Sequence, residues 1–290
     1  MSTPQSTPQS KRVHNESSSS NGASGGGVRQ NNWIFTSQEL HHSPSLRDGI
    51  DYMSEIVLRA KGCAFIYQVS AQLRLPPPVV YTATTMLHRF YMRFSLKRYH
   101  HYDIAATCIF LATKVEEHTR KLKDIVIACC RAALKKVDLY IDEQNKEFWR
   151  WRDTILFDEE LLLEALCFDL VLENPYTVLA GFARRFVPNE QHRSPLIKAA
   201  WGFLTDSAKT TAALRYPPKV LAAAALFYAS HVTKLDLFPD PAVSRAAPLR
   251  DWWSDVPVSS EHMRHVCKIL VDMSAGPLAK FVWEQKYIEV

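Results

Sequence analysis

The sequence predicts an all-α fold preceded by a disordered N-terminal tail. Apolar residues recur at spacings of three and four along most of the 290 residues, and alternating strand patterns are scarce. Prolines stand where helices are expected to begin and not inside them. Glycine is rare, since only five of the nine glycines lie after residue 33. That scarcity disfavours both Gly-rich phosphate loops and turn-rich β-sandwiches.

Residues 1–32 are predicted to form the disordered tail. They are mostly Ser, Thr, Pro, Gln, Asn and Gly, and so they lack the apolar anchors that offset the entropy of ordering. Order is expected to begin at residues 33–35, where Thr36 or Ser37 can cap a short helix. A second helix start follows at residues 43–45, Ser-Pro-Ser.

Two sets of five longer helices are expected after these short ones. The periodicity predicts the first set at residues 48–73, 77–94, 101–117, 120–134 and 150–169. It predicts the second set at residues 174–187, 194–213, 217–232, 247–254 and 259–274. Consecutive prolines can open the helices near residues 77 and 217.

An internal repeat divides the chain into two halves. Residues 103–113 align with residues 220–230 at a constant offset of 117, with three alanines and one phenylalanine shared. Helices that are apolar nearly all round are surrounded by other helices, and alanines let those neighbours approach closely. We therefore expect two tandem five-helix bundles, over residues 33–172 and 173–275, with a C-terminal extension over 276–290.

Composition and motifs exclude several classes of function. The formal net charge of +5 is smaller than that of most nucleic-acid binders, so no direct nucleic-acid contact is expected. No charge-free apolar stretch approaches the roughly 20 residues of a membrane span, and we expect no membrane association. The six cysteines show no Cys-x-x-Cys spacing, which favours reduced thiols. Nucleophile-elbow, zinc-protease, Walker and Rossmann motifs are missing, so we expect neither catalysis nor a cofactor or metal.

The segment Cys108-Ile-Phe-Leu-Ala-Thr-Lys-Val-Glu-Glu117 resembles the signature of a cyclin box. Leu-His-Arg-Phe-Tyr-Met at residues 87–92 and Leu-Cys-Phe-Asp-Leu at residues 166–170 extend the likeness, which covers residues 33 to 275. It implies a cyclin-box fold, and a regulatory subunit that activates a cyclin-dependent kinase.

Within the cyclins the chain is most similar to the transcriptional group of cyclins K, T and L. The motifs that carry this likeness are those at residues 43–50, 120–124 and 174–176. Those at residues 127–131 and 148–153 look most like the fungal β subunit of the kinase for the C-terminal repeat domain of RNA polymerase II. The resemblance therefore implies a nuclear protein that regulates transcription, with a kinase as partner and room for a third subunit.

The resemblance also assigns candidate kinase-binding residues. Lys114 is expected to donate hydrogen bonds to backbone carbonyls of the kinase, while Glu159 accepts from backbone amides and holds Lys114. The complete candidate set is Lys114, Glu159, Glu117, Leu111, Leu163 and Phe168. The apolar run over residues 161–168 is also too wide for a helix with one buried face, which favours a second partner. In the second bundle His231 stands where the first has Lys114, so only the first is expected to bind the kinase.

Several alternatives remain open from the sequence. Trp-Arg-Trp-Arg at residues 149–152 fits either an RNA clamp or buried tryptophans beside long arginines. Cys129 and Cys130 are interpreted as packing residues.

The substrate-docking groove of cell-cycle cyclins is not expected, because Gly62 and Phe65 replace its large residues. The role of the insertion at 135–146 is open. The rival function is a promoter-binding factor of the TFIIB family, although the tail lacks the cysteines of its zinc ribbon.

Overall fold

The structure, a computed structural model, describes residues 33–136, 139–187, 189–235, 237 and 258–275. Within these ranges every regular element is a helix, which confirms the all-α prediction. The helices are α1 (Ser37–Leu40), α2 (Pro44–Arg47), α3 (Tyr52–Gln72), α4 (Pro77–Phe90), α5 (His101–Val115), α6 (Leu122–Leu134), α7 (Lys146–Ala165), α8 (Pro175–Phe186), α9 (Glu190–Ser207), α10 (Ala212–Arg215), α11 (Pro218–Thr233) and α12 (Ser260–Ala275). The tail over 1–32, the expected helix over 247–254 and the extension over 276–290 lie outside the described residues.

The two short N-terminal helices begin where the sequence places their caps. The Thr36 side chain accepts a hydrogen bond from the backbone of Glu39, whose carboxylate accepts one from the Thr36 backbone in return. The Ser43 side chain accepts from the backbone of Leu46 and so caps α2, with Pro44 at the first helical position. Each cap satisfies a backbone donor that has no partner inside its helix.

The ends of α7 differ from the expected bounds of 150–169. The helix begins earlier, at Lys146, because the Asn145 side chain accepts from the backbone of Glu147 and caps it there. It ends at Ala165, before two consecutive residues with positive φ, Cys167 at 51° and Phe168 at 55°. A left-handed backbone cannot continue a right-handed helix, so the chain turns sharply there.

The expected helix over 194–213 is also corrected. Asn189 caps α9, so the helix begins at Glu190 and carries Pro195 in its interior. The prediction that prolines lie only at helix starts is therefore wrong at this position. The missing N–H of Pro195 removes a single hydrogen bond, and buried neighbours such as Leu196 and Ala200 offset that loss. After Ser207 the chain turns and continues as the separate short helix α10.

Each half of the described chain has its own hydrophobic core around one central helix. In the first core α5 packs against α3, α4, α6 and α7. In the second core α11 packs against α8, α9 and α12. The paired alanines of the repeat are fully buried, and they are Ala105, Ala106 and Ala112 in α5 and Ala222, Ala223 and Ala229 in α11. The predicted repeat therefore corresponds to two equivalent central helices.

The structural repeat continues past the residues that match in sequence. At the end of α5, Glu117 has a φ of 56° and the backbone of His118 donates to Thr113. At the end of α11, Lys234 has a φ of 52° and the backbone of Leu235 donates to Ser230. Both helices therefore end in the same left-handed cap, with the offset of 117 maintained, although the side chains around it differ.

A buried histidine joins the two cores. His88 in α4 is fully buried, and its Nε2 lies 3.1 Å from the backbone oxygen of Ala208 after α9. The Sγ of Cys63 lies 3.4 Å from the same Nε2, and Tyr67 donates to the backbone oxygen of Thr205. Burial lowers the pKa of His88 to about 3, and the nearby cation of Arg59 contributes to the lowering.

Acidification is expected to destabilise the protein through His88. Its ordinary pKa is 6.5 and its folded pKa is about 3, so between those values the unfolded state binds more protons and stability falls as the pH falls. From pH 7 to pH 5 the loss is about 2 kcal/mol. Chemical denaturation of the wild type and of His88→Gln across this range measures it. The wild type is expected to lose more stability than the variant, and parallel pH profiles would contradict the assignment.

None of the described helices combines the length and the apolar character needed to traverse a bilayer.

Candidate functional site

The structure brings Lys114 and Glu159 together on the surface of the first bundle. Lys114 lies in the last turn of α5, and its Nζ is 2.6 Å from Oε1 of Glu159 on α7. The ammonium also lies 3.9 Å from the ring centre of Phe110, one turn earlier on α5. The negative end of the helix dipole and the face of the aromatic ring both favour a cation at this position.

The ion pair keeps hydrogen-bonding capacity for a partner. The Lys114 side chain is 43% exposed and the Glu159 side chain 19% exposed. Within the described part of the chain, Nζ has no hydrogen-bond acceptor other than Glu159, and the second carboxylate oxygen accepts no hydrogen bond. Solvent weakens an ion pair this exposed, so it contributes little to folding. Its free donors and acceptor are available to backbone groups of another protein.

The remaining candidates fall into surface and core positions. Phe168 is 68% exposed and Leu163 is half-buried at the edge of the first core, so both offer apolar surface near the end of α7. Glu117 is exposed in the left-handed cap of α5. Leu111 differs from the expectation because it is only 4% exposed and packs in the first core. Its side chain packs inside the first core and is not exposed to a partner.

Two further residues near this surface escape sequence reasoning. Glu116, and not Glu117, makes the structural contact of the Lys-Val-Glu-Glu run, because its Oε1 accepts from the Thr82 hydroxyl on α4 at 2.6 Å. The motif contains two adjacent glutamates, and nothing in the sequence separates their roles. Phe157 on α7 is 79% exposed. It precedes the apolar run that indicated a second partner, and the same argument from helix width could have included it.

The second bundle carries a different side chain at the equivalent place. His231 donates through its Nδ1 to the backbone oxygen of Phe227 at 2.9 Å, and the centres of the two rings lie 4.4 Å apart. Both central helices therefore have a phenylalanine at this place, Phe110 in α5 and Phe227 in α11. The lysine ammonium of α5 is replaced by a histidine ring in α11. No carboxylate pairs with His231 among the residues that the structure describes.

The structure also places the other motifs singled out from the sequence. Trp151 is 2% exposed but Trp149 is 43% exposed, so only one of the two tryptophans is buried. The indole of Trp149 donates to the backbone of Glu143, and this contact ties the insertion to α7. Cys129 and Cys130 are fully buried, and burial raises the pKa of Cys130 to about 11, which agrees with a packing role.

The position of the cell-cycle docking groove offers no open aromatic surface. Phe65 is 3% exposed and stacks between Tyr102 and Trp151, with ring centres 4.9 Å and 5.6 Å away. A side chain at Gly62 would place its Cβ 2.8 Å from Cδ2 of Leu87. A larger residue there would force the end of the Leu87 side chain to shift, and it would also approach the backbone oxygen of His101 at 3.3 Å.

Comparison with known sequences points to one family. The profile of the family described as "Cyclin, N-terminal domain" matches residues 32–171. The chain is 43% identical over 245 residues to cyclin pch1 of Schizosaccharomyces pombe, covering 84% of this chain and 69% of that protein. It is 31% identical over 247 residues to cyclin-K of Homo sapiens, covering 83% of this chain and 40% of that protein. The chain therefore spans less than half of the human relative.

Comparison with solved structures supports the same fold. A chain of the yeast RNA polymerase II CTD kinase CTDK-1 complex matches with a TM-score of 0.65 and 17% identity, covering 85% of this chain and 74% of that one. A chain of the yeast TFIIK complex (Kin28/Ccl1/Tfb3) matches with a TM-score of 0.60 and 18% identity, covering 84% of this chain and 97% of that one. At 17% and 18% identity, these matches show a similar fold and no more than that.

The two helical cores, each built around one buried central helix, define a tandem helical-bundle protein. The relative that is 43% identical, and of which the chain covers 69%, settles the family. The chain belongs to the cyclins. Members of this family are regulatory subunits of protein kinases and are not enzymes themselves.

Proposed function

We propose that this cyclin binds and activates a cyclin-dependent kinase that phosphorylates the C-terminal repeat domain of RNA polymerase II, and that it acts in the nucleus. The observation that carries the proposal is the exposed pair of Lys114 and Glu159, which occurs in the first bundle and is replaced at His231 in the second. The kinase-binding unit is accordingly residues 33–172, with residues 173–275 as the second box.

The proposed mechanism is an ordering of the kinase. An active protein kinase needs a helix-borne glutamate placed against the strand-three lysine, together with an open activation loop. A cyclin that packs beside this helix shifts the kinase population towards the active arrangement. The change in the free energy of that equilibrium equals the difference between the binding free energies of the cyclin for the two arrangements. Lys114 and Glu159 would fix the position of the kinase backbone, while Leu163 and Phe168 would supply apolar contact.

The names of the related proteins support the repeat domain of RNA polymerase II as the substrate of the kinase. The yeast complex that contains the first structural match is described as an RNA polymerase II CTD kinase, and the matching curated proteins include cyclins K, T and L. The TFIIK complex is named with three components, Kin28, Ccl1 and Tfb3, which supports room for a third subunit here. No described feature of this chain favours the rival promoter-binding function over the kinase partner.

Kinase activation is the direct test of the proposal. The purified chain with ATP and a repeat-domain peptide should transfer no phosphate, because it lacks the nucleotide loop and catalytic aspartate motif of a kinase. The cyclin-dependent kinases of the same genome, expressed without any cyclin and added singly, should include one whose phosphorylation of the peptide rises steeply with the chain. An electrophoretic shift with duplex DNA at physiological salt tests the rival. Activation of no kinase, or a specific DNA shift, would overturn the proposal.

A further inference from the structure

A cleft separate from the Lys114–Glu159 pair lies between the start of α5 and the middle of α7. Its volume is 480 Å³, a size that accommodates a side chain together with part of a peptide. Three carboxylates line it, from Asp103 on α5 and from Asp153 and Asp158 on α7. Phe157 and Tyr99 supply aromatic surface at the same cleft.

Asp158 is buried without a partner. The residue is 8% exposed and lines the cleft, and its carboxylate has no hydrogen bond or ion pair with any residue that the structure describes. The other buried carboxylate of the described ranges, Glu55, has both Arg59 and Ser43 as partners. Burial of a charge without a partner is costly, and proteins retain few such groups. Desolvation raises the pKa of Asp158 to about 6, with a smaller contribution from Asp103.

The cations near the cleft are engaged with other carboxylates. Arg150 lies 3.3 Å from Asp103, and Arg152 lies 2.8 Å from Asp153. Arg98 lies 3.8 Å from Asp48 and is 76% exposed. The imidazole of His100, also on the cleft, accepts a hydrogen bond through Nδ1 from the backbone of Tyr102. Asp158 is therefore left as an anion that the surrounding side chains do not neutralise.

The chemistry of the walls selects the ligand. Phe157 is 79% exposed and lines the same cleft as the buried carboxylate. A face of an aromatic ring next to a carboxylate suits a guanidinium, which stacks on the ring through its plane and donates paired hydrogen bonds through its edge. An ammonium lacks that planar geometry. A metal ion does not fit, because the described residues contain no group of three His, Cys, Asp or Glu side chains able to hold one.

We propose that this cleft binds an arginine side chain of a partner protein, with the guanidinium on the Asp158 carboxylate and against the Phe157 ring. Charge complementarity identifies the occupant: an uncompensated, nearly buried anion beside an exposed aromatic ring is satisfied by one cation with a flat face. The proposal does not depend on the identity of the kinase, since binding is measured on the cyclin alone. Asp158 directly precedes Glu159, so the bound segment would lie beside the proposed kinase surface.

The test uses the full chain and a short synthetic probe. An acetylated, amidated Gly-Leu-Arg-Leu-Gly peptide is titrated at pH 7 and low salt, with binding followed by amide chemical shifts in NMR spectra. Two control peptides carry lysine or the neutral norleucine in place of arginine. We expect saturable shifts confined to the start of α5 and the middle of α7, with weaker binding of the lysine peptide and no binding of the norleucine peptide.

Three variants decide the outcome. Asp158→Asn should weaken binding of the arginine peptide by at least about tenfold, and Phe157→Ala should weaken it several-fold. Glu160→Gln removes the same charge from an exposed position of the same helix and should leave binding unchanged. Asp158→Asn should also raise the melting temperature, since it removes an unpaired buried charge. Unchanged binding in Asp158→Asn, or equal losses in Asp158→Asn and Glu160→Gln, would overturn the proposal. If Asp158→Asn fails to fold, Phe157→Ala decides, because its exposed side chain can be removed without harm to the core.

Discussion

Truncation of Lys114 to alanine is expected to weaken binding of the kinase by tens to thousands of fold while folding barely changes. In the complex the ammonium would be desolvated between Glu159 and backbone carbonyls of the kinase, and its removal would leave these groups unpaired. The cost of such a truncation is about 2 to 5 kcal/mol of binding free energy. In the free cyclin the Lys114 side chain is 43% exposed, so its ion pair contributes little to stability.

The matched control is His231→Ala in the second bundle. His231 occupies the equivalent place at the end of α11 and rests on Phe227 as Lys114 rests on Phe110. Titration of both variants against the kinase identified by activation should show a large loss for Lys114→Ala and a change within a few-fold for His231→Ala. Melts followed by circular dichroism control for folding. Equal losses, or none at Lys114 with the fold intact, would place the kinase surface elsewhere.

The regular parts of the fold follow from local sequence signals. The short helices α1 and α2 could be predicted from their caps, since the Thr36 and Ser43 side chains each satisfy a backbone donor nearby. The central helices could be found from their alanines, because only closely packed helices need small residues on several faces. These signals act within a few residues, so periodicity and cap chemistry are sufficient to find them.

The errors have two sources, which are local caps at Asn145 and Asn189 that the expected bounds missed, and packing that overrides local propensity. Pro195 was expected at a helix start, but the Asn189 cap and burial of Leu196 keep α9 continuous through it. The end of α7 required two non-glycine residues, Cys167 and Phe168, to adopt positive φ. Such a backbone costs roughly 1 to 2 kcal/mol per residue, so local propensity alone argues against it. Tertiary packing overrides propensity in both places.

The candidate site divides in the same way. Lys114 and Glu159 are 45 residues apart, and it was the family resemblance that paired them before the structure placed them 2.6 Å apart. The burial of Leu111 depends on which side of α5 faces the core, and a helix apolar nearly all round gives no such signal. That Asp158 lacks an ion-pair partner could not be predicted. It depends on the neighbouring arginines, which form ion pairs with Asp103 and Asp153 instead.

A buried ionic network links α2, α3 and α4 in the first bundle. Arg59 is 2% exposed, and its guanidinium lies 2.7 Å from Oε1 of Glu55. It also donates to the backbone oxygens of His88 and Tyr91 at 2.9 Å each, and these belong to the end of α4. Ser43, the cap of α2, donates to the second oxygen of Glu55. One arginine thus satisfies a buried carboxylate and two carbonyls that the end of a helix leaves open.

Arg59→Ala is therefore expected to destabilise the protein by about 3 to 5 kcal/mol, because it leaves the buried charge of Glu55 uncompensated. Urea denaturation at pH 7 measures the loss. Lys123→Ala is the matched control, since it removes one member of a solvent-exposed ion pair with Glu143 and should change stability very little. The double variant Arg59→Met with Glu55→Leu should recover part of the loss by removing both charges, whereas the carbonyls of His88 and Tyr91 stay unpaired. A loss of stability in Arg59→Ala no larger than that in Lys123→Ala would contradict the role assigned to Arg59. A double variant less stable than Arg59→Ala would show that the Glu55 charge is not the source of the lost stability.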